Sequence, residues 1–160
     1  MRLKFASSIA TGDAMQKGEK RVLVVDDDEA IRTLVLTILR RREMPVDTAK
    51  NGQEAIQKLG ECTYSVLLLD LMMPVLSGWG VLEHLETIES SRRPIVIVLT
   101  AGSESRKFNP DLVIGSIRKP FDVELLNDMV TGCIAIITQR EQLSSCPPAE
   151  SDEGKRWHRS

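Results

Sequence analysis

Aromatic side chains are scarce in this chain: three Phe, two Trp and one Tyr make up 4% of 160 residues. Any core must therefore be aliphatic. Charge of one sign is also missing, since 21 Lys and Arg face 23 Asp and Glu for a net charge of −2. That balance gives no electrostatic case for direct nucleic-acid binding or for an anionic membrane as partner. No run approaches the ~20 apolar residues of a membrane span. The three cysteines, Cys62, Cys133 and Cys146, are too few and too scattered for a complete disulfide framework or a metal-ligand motif. They point to a reducing compartment, and a cytoplasmic protein is expected. What is present in ordinary amounts, 42% hydrophobic and 28% charged residues, is enough to bury a core.

The two ends differ from the middle. Residues 1–20 open with Met1-Arg2-Leu3-Lys4 and a short stretch, Phe5 to Ala10, that imitates a signal peptide. It is too short and too polar for the roughly 7–15 apolar residues an h-region needs. These residues are read as a disordered or mis-assigned N-terminal extension, with Met15 as an alternative start. Residues 141–160, with Cys146-Pro147-Pro148 and a charged end carrying Trp157 and His158, read as a disordered tail. The domain proper is expected over residues 21–140. Its 14 basic and 17 acidic side chains leave no basic arm.

Between the ends, two periodicities alternate. Arg21–Val25, Val46–Ala49, Ser65–Leu69, Ile95–Leu99 and a weaker Leu112–Ile117 are short apolar runs of buried-strand type. Ile31, Leu34, Val35, Ile38 and Leu39 recur on one helical face, with Asp28 and Glu29 at its start and Arg40-Arg41-Arg42 at its end, as the helix dipole favours. Asn51-Gly52 reads as a turn before a helix from Glu54 to Leu59. Further helices are expected over Gly78–Glu89 and Asp122–Gln139, the last burying Leu126, Met129, Val130, Cys133, Ile134 and Ile137. Five apolar strands alternating with helices imply an α/β, doubly wound parallel sheet with helices on both faces.

In such sheets the polar site lies at the carboxyl ends of the strands. Asp26-Asp27 follow the first strand directly, Asp70 the third, Thr100 the fourth and Lys119 the fifth. Three converging carboxylates repel one another unless a cation neutralises them. An oxygen-only donor set of this kind suits Mg²⁺. A lysine opposite supplies positive charge for phosphate oxygens, a threonine hydroxyl supplies a donor, and a carboxylate can serve as nucleophile to give an aspartyl phosphate.

Val24-Val25-Asp26-Asp27-Asp28, Leu69-Asp70-Leu71-Met72-Met73-Pro74, Leu99-Thr100-Ala101 and Lys119-Pro120-Phe121 resemble the motif set of bacterial two-component response-regulator receiver domains, of the stand-alone, chemotaxis-regulator-like kind. The resemblance spans residues 21 to about 139 and implies the flavodoxin-like strand order 2-1-3-4-5. It implies Asp70 as phosphoacceptor and Asp26, Asp27, Asp70 and the Met72 backbone carbonyl as Mg²⁺ ligands. Thr100 would bond the phosphoryl group and move on activation, Lys119 would pair with it, and Pro120 would follow a cis peptide. The implied partners are a histidine kinase or histidine phosphotransfer protein and an unknown output protein, with no membrane and no direct nucleic acid. Catalysis is expected only of the chain's own phosphotransfer and dephosphorylation.

Several positions depart from that pattern. Ser116 stands where the family carries an aromatic residue three positions before the lysine, so the switch set of Thr100, Ser116 and Pro120 lacks its ring. Ser77-Gly78 replaces the common Asp-Gly, with Ser77 expected as a helix cap. Residues 102–111, where a fourth helix should lie, have almost no apolar face and carry Asn109-Pro110, so a short, loosely folded segment is expected. His84 is read as a surface residue, Trp79 and Met72-Met73 as packing, and Ile134-Ala135-Ile136-Ile137 as a candidate homodimer surface on the last helix. The competing readings are a phosphorylation-independent receiver-like scaffold and a phosphatase. The first has no need of all five polar residues. The second wants an acid where Met72 stands.

Overall fold

The structure, a computed structural model, describes residues 20–102 and 106–144. The N-terminal extension, most of the expected tail with Cys146, Trp157 and His158, and residues 103–105 lie outside it. Five strands, β1 (Val22–Val25), β2 (Val46–Ala49), β3 (Val66–Asp70), β4 (Ile95–Thr100) and β5 (Val113–Arg118), form one parallel sheet in the order β2-β1-β3-β4-β5. Four helices accompany them: α1 (Glu29–Arg40), α2 (Gly52–Glu61), α3 (Gly78–Thr87) and α4 (Val123–Ser144), with a 3₁₀ turn over Ser90–Arg92.

The strands are apolar on both faces because both faces are covered. Leu23, Val25, Leu67, Leu69, Val96 and Val98 pack toward α2 and α3. Val22, Val24, Leu68, Ile97, Leu99 and Ile117 pack toward α1 and α4, where Leu126, Val130 and Cys133 meet them. Each fully buried leucine contributes about 1.5–3 kcal/mol relative to an exposed one. Burial also pushes the Cys133 thiol above its ordinary pKa, in keeping with a core role.

Local sequence sets the helix ends. Asp28 caps α1, its side chain accepting from the N–H groups of Ala30 and Ile31, and Arg40 closes it. Asn51 is the cap of α2, accepting from Glu54 N–H at 2.8 Å, so Gly52 opens the helix rather than completing a turn. Ser77 occupies the cap position of α3 but makes no side-chain cap bond, a correction to its expected role. Gly78 behind it lies so close to β3 that a Cβ there would sit 2.2 Å from the Asp70 carbonyl oxygen. α4 continues five residues past Gln139, into the start of the expected tail, and Glu141 pairs with Lys20. Its late residues, Gln139 to Gln142, are good helix formers, which periodicity of apolar residues alone does not register.

Between β4 and β5 the described residues contain no helix. Residues 106–109 are held against α3 all the same, where a loosely folded segment was expected. Phe108 stacks on Trp79 with ring centroids 5.3 Å apart, and Arg106 lies over the Trp79 ring at 4.7 Å. Arg106 also pairs with Glu83, and Asn109 donates to Glu86. These contacts line an open cleft of about 280 Å³ against α3.

Candidate functional site

Strand geometry alone brings the five candidate side chains to one edge. β1, β3 and β4 are paired without interruption, so Asp26 and Asp27 just after β1, Asp70 at the end of β3 and Thr100 at the end of β4 leave the sheet at the same level. β5 reaches that level through a bulge: Val96 pairs with Val113 but Ile97 pairs with Gly115. Ile114 is the extra residue and is 52% exposed. The bulge sets Arg118 opposite Thr100, and Lys119 N–H donates to the Thr100 carbonyl at 2.7 Å. The Lys119–Pro120 peptide is cis.

One ligand oxygen from each of Asp26, Asp27 and Asp70 lies within 4.8 Å of the others, Asp26 and Asp70 buried and Asp27 exposed. The donor set is all oxygen, which fits a hard cation such as Mg²⁺ and not a soft metal. Lys119 Nζ reaches Asp26 Oδ2 at 2.5 Å and Asp70 Oδ2 at 3.4 Å. Burial of Asp70 raises its pKa above the usual carboxylate value, reinforced by the Asp26 charge and opposed by the Met72 N–H bond and by Lys119. Burial acts to lower the Lys119 pKa, but the bonds and charges of Asp26 and Asp70 outweigh it and raise it. The edge is thus a buried carboxylate beside two others, with one ammonium bridging two of the three.

Each smaller part has its place. Met72 N–H donates to Asp70 Oδ1 at 3.2 Å, while the Met72 side chain is 69% exposed and does not pack as expected; Met73 does. Thr100 Oγ1 accepts from Gly102 N–H at 2.7 Å. Ser116 is exposed, and no ring stands at that position. His84 is half-buried on α3, away from the carboxylates, where it lines a cleft with Cys62 and Tyr64. Ala135 and Ile136 of the candidate dimer surface are exposed, whereas Ile134 and Ile137 are half-buried against the sheet.

Arg32 was not singled out by the sequence pattern. Its Nη1 donates to the Asp26 carbonyl at 2.7 Å and braces the strand end that carries two of the three acids. The available signal was a lone cation in the first turns of α1, one residue after the buried-face Ile31 and close behind a run of acids.

The helix pattern and strand order agree with comparison to known proteins. The family described as "Response regulator receiver domain" matches residues 22–131. The Bacillus subtilis transcriptional regulatory protein ResD is 39% identical over 92 residues, covering 58% of this chain and 38% of ResD. A CpxR homologue from Haemophilus influenzae is 40% identical over 110 residues, covering 66% of this chain and 47% of that protein. The chain thus spans less than half the length of these curated relatives. Among solved structures, a CheY-like receiver domain protein from Methanospirillum hungatei has a TM-score of 0.68 at 29% identity, covering 76% of this chain and 98% of its own. The Thermotoga maritima regulator TrrA, solved in complex with Mg(2+)-BeF, has a TM-score of 0.63 at 32% identity, covering 71% and 98%. Among the described residues no helix is long and apolar enough to cross a membrane. The chain belongs to the response regulator receiver domain family of two-component signal transduction.

Proposed function

We propose that this receiver accepts a phosphoryl group on Asp70 from a phosphohistidine of a histidine kinase or phosphotransfer protein, and that it signals through protein–protein binding or onward phosphotransfer. The observation that carries this reading is the convergence of Asp26, Asp27 and Asp70 with Lys119 bridging Asp26 and Asp70. An Asp70 carboxylate oxygen attacks phosphorus, a P–O bond forms, and the P–N bond to imidazole breaks. Its electron pair stays on the imidazole nitrogen, which takes a proton from solvent. Asp26, Asp27, Asp70 and the Met72 carbonyl would hold Mg²⁺, which when bound offsets negative charge on carboxylate and phosphoryl oxygens. Lys119 sits where it can follow that charge from the carboxylates to the incoming phosphoryl group. Thr100 offers a hydroxyl at the same edge. Hydrolysis of the acyl phosphate, returning Asp70 and inorganic phosphate, is the only turnover ascribed to the chain, and the cytoplasm is its expected location.

Intact mass after incubation with a small phosphodonor tests the reading. The expected result is a Mg²⁺-dependent gain of one phosphoryl group that Asp70→Asn abolishes. No gain in folded protein that binds Mg²⁺ would instead favour the scaffold reading, which the exposed Ser116 and the lack of a helix among the described residues before β5 support.

A further inference from the structure

Arg118 is the residue opposite Thr100 across the β4–β5 pair, on the same face of the sheet. Two residues beyond Thr100 the chain turns at Gly102, whose φ of +87° is open to glycine and strained for other residues. A Cβ built on Gly102 would lie 2.5 Å from Arg118 Nε, 2.8 Å from Cζ and 3.0 Å from Cδ. The guanidinium end of Arg118 therefore rests directly on the bare α-carbon of Gly102. The same glycine donates its N–H to Thr100 Oγ1 at 2.7 Å. The order of contact is thus an exposed arginine, a glycine turn, and the hydroxyl at the acidic edge.

We propose that Arg118 is a positioning residue for Thr100, acting through the Gly102 turn. The inference rests on the phosphoacceptor reading and deepens it. Arg118 holds the turn from outside, so that the Gly102 N–H stays aimed at Oγ1 and the threonine hydroxyl stays oriented toward the edge that receives the phosphoryl group. Coupling of this kind is reciprocal: engagement of Thr100 displaces the guanidinium in turn. Ser116, two residues back on the same face and carrying no ring, leaves the exposed side of Arg118 uncovered by an aromatic side chain from β5. The Mg²⁺-facing carboxylates come from β1 and β3 and do not depend on this contact.

The test uses the full chain with beryllofluoride as the phosphoryl mimic. Affinities for Mg²⁺ alone, and for beryllofluoride at saturating Mg²⁺, are measured for the parent chain, Arg118→Ala, Arg118→Lys and Asp70→Asn. The Arg118 Nε–H resonance is followed in the parent. Arg118→Ala is expected to weaken beryllofluoride binding at least about fivefold while Mg²⁺ affinity stays unchanged. Arg118→Lys, which keeps the charge but loses the planar Nε–Cζ contact, is expected to behave like the alanine variant. In the parent the Nε–H resonance is expected to shift when beryllofluoride binds. Beryllofluoride binding to Arg118→Ala as tight as to the parent overturns the proposal. Full rescue by Arg118→Lys also overturns it, because charge rather than contact would then be acting. If the parent itself does not bind beryllofluoride, the phosphoacceptor reading falls and this inference falls with it. If the parent binds and Asp70→Asn does not, the reading stands and the arginine series alone decides.

Discussion

Strands β1 and β3 deliver their carboxylates in unbroken register, whereas β4 and β5 meet through a bulge and are joined by a segment with no helix among its described residues. The first half of the edge is closely fitted: Gly78 abuts the Asp70 carbonyl and Arg32 braces Asp26. The second half is more exposed, with Ser116 and Arg118 at the surface and the Trp79–Phe108 stack holding the described part of the segment to α3. The contrast separates two demands. Chemistry on a buried carboxylate needs fixed oxygen positions, whereas a response element needs a second arrangement within a few kcal/mol of the first.

If that division is right, damage to the two halves should differ in kind as well as in size. Asp70→Asn should abolish acyl-phosphate formation entirely by intact mass. In Mg²⁺-free buffer it should also stabilise the fold by about 1 kcal/mol. The sign follows from the raised Asp70 pKa: the native state binds a proton more readily than the unfolded chain, so the ionised carboxylate weakens the fold as pH rises through that folded pKa. A denaturation midpoint at pH 7 below that of the parent chain would contradict the prediction. Gly78→Ala, which forces a methyl into the Asp70 backbone, should cost roughly 2–3 kcal/mol in urea unfolding. A loss under half a kcal/mol would mean that the β3–α3 approach is looser than its geometry.

The amino edge of the sheet is a control on both halves. There the Tyr64 hydroxyl donates to Asp47 at 2.9 Å, and Arg21 reaches the same carboxylate oxygen at 3.1 Å. Burial raises the Tyr64 pKa, and the Asp47 bond and charge add to the effect. The unfolded chain ionises near 10.0 and the native one later, so stability should fall as pH rises above 10. Tyr64→Phe should remove that decline and cost about 1 kcal/mol at neutral pH, with no change in Mg²⁺ affinity. The smallest effect is expected from Phe108→Ala. Losing the ring stack should cost under about 1 kcal/mol yet change Trp79 emission. Unaltered emission would sever the segment from α3.

The strands were legible because a buried parallel strand writes itself as an apolar run, and Asp26, Asp70, Thr100 and Lys119 each end such a run. The helices were legible from period and caps, but their limits were not. Asn51 is a cap because its side-chain Oδ1 accepts from Glu54 N–H, a three-residue reach that resembles a turn on paper. The Ile114 bulge left no mark, since one extra residue in a weak strand changes no composition. Met72 and Met73 look alike in sequence, yet the first is exposed and the second buried. Arg32 and Arg118 were silent for a related reason: their partners are backbone groups of Asp26 and Gly102, which carry no residue identity to read.

α4 has 22 residues, roughly 33 Å of helix at 1.5 Å per residue, while the longest strands have 6 residues, about 20 Å. It starts just after Pro120 at the acidic edge and ends with Glu141 beside Lys20, where β1 begins. The helix therefore works as a standoff, carrying the chain from the reactive pole to the opposite one. A copy immobilised through residues after Ser144 would present its carboxylates to solution, away from the support. Tethering through the first residues of α4 would put the anchor at the reactive pole.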